Sequence, residues 1–161
     1  MSGPARAWPV VVRGVAFALF AGAISVACTE PEASGPPVLR PGLDVCAECG
    51  MSIVDTEFAA GVLVERGGHR EHLVFDDLGC LLVWATDPSH AVLDQWTMTL
   101  DGKAWVALSA ANIVAGSSRR TPMDSGIMAF EQSTGATAAV AADGGAVTPF
   151  DQLEIPEAMR P

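Results

Sequence analysis

Residues 58–86 read FAAGVLVERGGHREHLVFDDLGCLLVWAT, and the pattern of this stretch changes twice along its length. Two aliphatic runs, 58–65 and 70–75, flank Arg66-Gly67-Gly68-His69, a turn signal, so the segment opens as a β-hairpin. Asp76 and Asp77 then introduce Leu78, Leu81, Leu82 and Ala85, which recur at helical spacing. Asp76 suits the N-cap of that helix, and Pro88 forbids its continuation. Further on, Trp96, Met98 and Leu100 alternate with Gln95, Thr97 and Thr99, a half-buried strand that stops at the Asp101-Gly102 turn. Residues 43–100 therefore read as a ββαβ unit.

The second half, 101–152, repeats this pattern more faintly. Trp105 to Leu108 and Gly126 to Phe130 are strand-like, Glu131 to Ala142 is Ala-rich and helical, and Gly144-Gly145 leads into AVTPF. HLVFDD (72–77) and IMAFEQ (127–132) correspond: each is an apolar strand ending in Phe, followed by polar residues that start a helix. The expectation is an α+β fold built from a tandem pair of small ββαβ units. Neither is large enough to bury a core alone, so each would stabilise the other. Residues 153–161 are left as a C-terminal tail.

Ahead of this pair, Arg6 and Arg13 precede the uncharged stretch Gly14 to Ala27, which has the layout of an export signal over 1–27 and is too short for an anchor helix. The signal ends in Ser25-Val26-Ala27-Cys28, a lipoprotein-like box in which Cys28 would take the lipid. Ser25 departs from the Leu usual at that place. Residues 28–42, rich in Pro, Gly and acids, read as a tether. After residue 27 no apolar run approaches the length of about 20 residues that a bilayer span needs.

The 161-residue chain carries a net charge of −10, and a chain beginning at Cys28 would carry −12, because Arg6 and Arg13 lie ahead of it. Such a surface repels nucleic acid and favours a basic docking face. Half of the residues are hydrophobic, too many for a disordered acidic tail.

With Cys28 lipidated, Cys46, Cys49 and Cys80 remain, and an odd number of thiols outside the cytoplasm cannot close a disulfide framework. Cys46-Ala47-Glu48-Cys49-Gly50-Met51 puts three sulfur donors within one short loop. Soft thiolate and thioether donors select a soft ion, above all Cu(I). A zinc site would need about four N or S ligands, and no second Cys or His pair follows. A thioredoxin-like Cys-x-x-Cys would follow a strand and open a helix, whereas this one follows a Pro/Gly tether. Asp44 and Glu48 should moreover raise its thiol pKa values. A local Cys46–Cys49 disulfide, with Met51 as core filler, is the plain alternative.

Thr121-Pro122-Met123-Asp124-Ser125-Gly126 is a loop that places Met123 in a turn, while Met128 suits the core. His69 and His72 flank the hairpin turn and are expected on one side of the strand end, as surface residues of which one would complete a copper shell. Cys80 reads as a small buried hydrophobe, and Asp76 and Asp77 as capping acids. No phosphate loop, nucleophile elbow or dinucleotide fingerprint is present in the sequence.

Cys-x-x-Cys-Gly-Met after a lipoprotein tether, the strand-to-helix junction Phe75 to Cys80 and the TPMxSGxxAF stretch from Thr121 to Phe130 together resemble the NosL family, copper-binding accessory lipoproteins of nitrous oxide reductase assembly. The resemblance spans about residues 43–152. It implies a tandem ββαβ fold similar to a domain of organomercurial lyase, and a monomer that is not an enzyme. That monomer would lie outside the cytoplasm, in the periplasm or on the outer face of the cell membrane. It implies delivery of Cu(I) to the reductase through a membrane-associated maturation complex, with Cys46, Cys49, Met51 and Met123 as the matching sulfur positions.

Overall fold

The computed structural model describes residues 32–160, together with Gly3. The expected export signal and Cys28, the expected lipidation position, lie outside the described residues. Residues 31–161 form one compact unit. No helix among the described residues is long and apolar enough to cross a membrane.

The chain runs β1 (Ala60–Arg66), β2 (His69–Phe75), α1 (Leu78–Trp84), β3 (Val92–Met98), β4 (Trp105–Ala107), β5 (Asn112–Ala115), β6 (Met128–Phe130), α2 (Ser133–Asp143) and β7 (Ala146–Val147). Gly67 and Gly68, both at positive φ, turn β1 into β2, and the register from Ala60↔Phe75 to Arg66↔His69 is unbroken. β3 pairs with the other edge of β1, and the first sheet has the antiparallel order β2-β1-β3-β4. The second sheet is β6-β5-β7, also antiparallel. The mixed α and β architecture expected from the sequence is present. The succession β1, β2, α1, β3 recurs as β5, β6, α2, β7, with its first strand flanked by the other two in each sheet.

The division between the halves needs one correction. Trp105–Ala107, assigned by the sequence pattern to the second half, closes the first sheet: the Asp101-Gly102 turn makes a hairpin, and Met98↔Trp105 and Trp96↔Ala107 pair across it. A strand after so tight a turn meets its predecessor first. The strand that takes its place in the second half, β5, carried no turn signal of its own.

The core is shared by both halves. β1 is buried from Ala60 to Val64, as a central strand covered on both faces must be. Phe75, Leu78, Leu81 and Trp84 join it from β2 and α1, and Leu108, Ile113, Ile127 and Ala129 from the other half. Just beyond β3, Leu100 N–H donates to the Ala129 carbonyl of β6 at 3.0 Å and links the two sheets. Leu153 and Met159, beyond the expected end of the second half, pack on the same core. Truncating Phe75 to Ala in such a core costs about 3–5 kcal/mol.

Two details of α1 differ from expectation, and both matter for the site. Asp77 is its N-cap, not Asp76: the Asp77 Oδ1 accepts from Gly79 N–H at 2.6 Å. The buried stripe is also rotated from the one read in the sequence: Ala85 is exposed, while Cys80 and Trp84 face inward. Trp84 sets that rotation by packing its ring on Phe75, centroids 5.4 Å apart, so the larger apolar side chain wins the inner position.

Candidate metal centre

Residues 42–53 fold as a narrow hairpin on the edge of the domain. Gly42 N–H donates to the Ile53 carbonyl (2.8 Å), Ile53 N–H to Asp44 (2.9 Å) and Cys46 N–H to Met51 (2.8 Å), and Val45 bridges Ser52. Cys46 to Gly50 is its tip, closed by Gly50 N–H on the Cys46 carbonyl at 2.9 Å. Gly50 sits at φ +72°, which a side chain would strain. Ala47 N–H donates to the Val74 carbonyl at 2.8 Å, which seats the tip against the end of β2. Cys46 and Ile53 point inward and are buried, while Leu43, Val45, Met51 and Val54 leave an exposed apolar rim.

The β2-to-α1 junction meets this tip from below. Cys80 lies in the first turn of α1 and is fully buried. Its sulfur, with those of buried Cys46 and exposed Cys49, forms a group in which all three lie within 4.8 Å of one another. All three are free thiols. One soft ion of suitable size would reach all three.

Charge is distributed unevenly among them. The Cys80 thiol, hydrogen-bonded to Cys46, and the backbone amides of Cys49, Asp76 and Glu48 hold the Cys46 thiol down at about 5, against the opposing effect of its burial. The Cys80 thiol is pushed up, first by that same bond to Cys46 and then by burial. Cys49 is pushed up by burial and by the neighbouring Cys46. The expectation that Asp44 and Glu48 raise the thiols is thus corrected at Cys46. Asp44 is engaged by Arg40, whose Nε and Nη2 reach its Oδ1 at 2.9 and 2.5 Å, and Glu48 contributes a backbone N–H instead. Burial, the Cys46 thiolate, Asp77 and Asp55 together raise the Asp76 carboxyl to about 6.

Met51 stands 44% exposed on the hairpin rim. Met123 is partly buried against the core cluster that contains Cys46 and Cys80. Its loop is fixed by Asp77, whose Oδ2 accepts from Thr121 Oγ1 (2.5 Å) and Met123 N–H (3.3 Å). One carboxylate therefore caps the helix that carries Cys80 and anchors the loop that carries Met123. Gly79 permits this approach, since a Cβ there would stand 2.7 Å from the Ser125 Cβ and also strike the Met159 sulfur. Asp77 is thus a positioning residue that sequence reading took only for a capping acid.

The histidines do not gather at the site. Three positions apart on β2, His69 and His72 point to opposite faces. His72 Nε2 bonds the Gly35 carbonyl at 2.8 Å and lies edge-on to Trp96. Cys80 does gather there, although it read as a buried hydrophobe. The odd cysteine count was the available signal, and the turn of α1 that aims Cys80 inward was not legible.

No curated protein matches the chain. The crystal structure of the copper chaperone NosL from Shewanella denitrificans matches with a TM-score of 0.62 and 22% sequence identity, over 73% of this chain and 94% of that one. The family model NosL matches residues 41–159, most of the chain and all of the sulfur positions described above. By that match, the chain belongs to the NosL family.

Proposed function

We propose that the protein is a copper chaperone that carries one Cu(I) ion and hands it on by ligand exchange, without chemical change to the cargo and without enzymatic turnover. The observation that carries this reading is the cluster of three free thiols within 4.8 Å, two buried and one exposed. Cys46 supplies a ready thiolate, Cys49 an exchangeable one, and Met51 and Met123 add thioethers that hold a soft cation without adding charge. An exposed rim of Leu43, Val45 and Val54 suits transfer by contact, since an acceptor seated there excludes water. Family membership and a structural neighbour described as a copper chaperone support the same reading.

Its finer parts follow from the resemblance. The chain is exported, anchored through a lipid on Cys28 outside the cytoplasm, and monomeric. It delivers copper to nitrous oxide reductase through a membrane-associated maturation complex. Globomycin treatment of expressing cells tests the anchor: the unprocessed precursor should accumulate, and unchanged processing would refute lipidation.

The low Cys46 pKa favours one other reading, a thiol oxidoreductase. In such enzymes the activated thiol must be accessible, and here Cys46 is buried while the accessible Cys49 is the one pushed up. The Cys-x-x-Cys also forms a hairpin tip, not a helix N-terminus.

Anaerobic titration of reduced protein with Cu(I) against a competing chelator tests the chaperone reading. One equivalent should bind tightly, and the Cys46→Ser/Cys49→Ser variant should lose that binding. Equal affinity in the variant would refute the reading.

A further inference from the structure

We propose that Cys80 is a third ligand of the copper cargo, and that Cys46 and Cys80 form an inner pair that retains the ion while Cys49 is exchanged. The inference rests on the chaperone reading and adds a ligand order to it.

Distances permit it. A metal–thiolate bond of about 2.3 Å places sulfurs about 4.0 Å apart around a three-coordinate ion and about 4.6 Å apart across a two-coordinate one. The three sulfurs already lie within 4.8 Å of one another, so no pair has to be drawn together across more than that distance to share one ion.

Burial and anchoring then sort the ligands. Cys46 is 2% exposed and Cys80 0%, whereas Cys49 faces solvent. Cys80 N–H donates to the Asp77 carbonyl at 3.0 Å. The Asp77 carboxylate is in turn held by Gly79, Thr121 and Met123, so the backbone that carries Cys80 is anchored to the helix cap and the TPMDSG loop. Cys46 is fixed by its own N–H to Met51 and by the carbonyl that receives Gly50. Cys49, on the exposed turn, is the sulfur an incoming donor meets first. In the exchange, the bond from copper to Cys49 breaks as a bond to the acceptor's soft donor forms, and the freed Cys49 takes a proton from water. Copper stays Cu(I), and no electron moves. The Cys46–Cys80 pair holds the ion until a second acceptor ligand arrives.

Copper K-edge X-ray absorption on the loaded full-length chain tests the ligand set. In the Met51→Ala/Met123→Ala variant both proposed thioether ligands are gone, and the expected count is three sulfurs at one short distance. A count of two overturns the proposal without relying on any change at buried Cys80. Cys80→Ala, checked for folding by circular dichroism, should still load copper but bind it at least about tenfold more weakly, since losing even a supporting partner costs 10–100-fold. It should also release copper to a chelator faster than wild type, and Cys49→Ala more slowly than Cys80→Ala. Wild-type affinity, sulfur count and release rate in Cys80→Ala would overturn the ligand order while leaving the chaperone reading intact. Failure of the wild-type chain to bind Cu(I) would overturn both.

Discussion

The two strand-to-helix junctions, Phe75 to Cys80 and Phe130 to Gly135, follow the same backbone route and put it to different uses. In each, an apolar strand ends in a buried phenylalanine and a helix begins three residues later. At the first, Asp76 and Asp77 are buried, Asp77 caps the helix with its own side chain, and Cys80 turns inward. At the second, Glu131 and Gln132 are exposed and Gln132 makes no capping bond. Their N–H groups go instead to the Asp101 carboxylate from the β3–β4 turn, at 2.8 and 3.0 Å. The place equivalent to Cys80 is Gly135, against Asp101 and the Phe130 ring. Topology thus supplies two equivalent places, and side-chain chemistry makes a candidate site of one.

The largest effect expected from this difference is at Asp77. Asp77→Ala removes the acceptor for Gly79, Thr121 and Met123 inside the core, and should cost about 3 kcal/mol: roughly 1 for the cap and the rest for charge-assisted bonds left unmade. Gln132→Ala, which breaks no bond, should stay within about 0.5 kcal/mol. Urea denaturation measures both, and equal losses would dissolve the distinction between the junctions.

A methyl group added to each helix start sharpens it further. Gly79→Ala drives a Cβ to 2.7 Å from that of Ser125 and should cost about 1–3 kcal/mol. Gly135→Ala meets Asp101 and Phe130 at 3.0 Å, and its strain is offset by about 1 kcal/mol of helix propensity, so the net change in melting temperature should be small.

What the sequence revealed of this contrast follows from the range of each signal. The hairpin at Gly67-Gly68, the helix after Asp77 and the Cys46–Met51 loop are written in neighbouring residues, and they were legible. So was the likeness of HLVFDD to IMAFEQ. The assignment of Trp105–Ala107 to the first sheet, the existence of β5 and the inward turn of Cys80 depend on partners far along the chain. The role of Asp77 was hidden for the same reason: its partners Thr121 and Met123 lie more than forty positions away. Local periodicity carries no information about such pairings.

Met123 tests whether the anchored loop also serves the metal. Met123→Ala keeps the Asp77 bond, which uses the backbone N–H, so the fold should persist. If its thioether is a ligand, Cu(I) affinity should fall by roughly tenfold, or about 1.4 kcal/mol. The copper-induced rise in melting temperature should shrink by the same free energy, because a ligand stabilises the folded form by RT ln(1 + [L]/Kd). Unchanged affinity and unchanged stabilisation would restrict Met123 to packing.

The most discriminating variable is pH. Cys46 sits at about 5 and is a thiolate at pH 7, whereas Cys49 and Cys80 are pushed up and keep their protons. Copper must displace a proton from each protonated thiol it engages, so affinity rises with pH over this range. Above pH 7 the Asp76 carboxyl, raised to about 6, is already ionised and contributes no slope. If Cys46 and Cys49 alone bind, one proton leaves and the apparent affinity for Cu(I) should climb about tenfold per pH unit between 7 and 8.5. If Cys80 joins them as a thiolate, two leave and the climb should approach a hundredfold per unit. Competition titrations across that interval separate the cases. A flat profile would mean that the bound thiols were charged beforehand, contrary to the uneven charge that the buried cluster imposes.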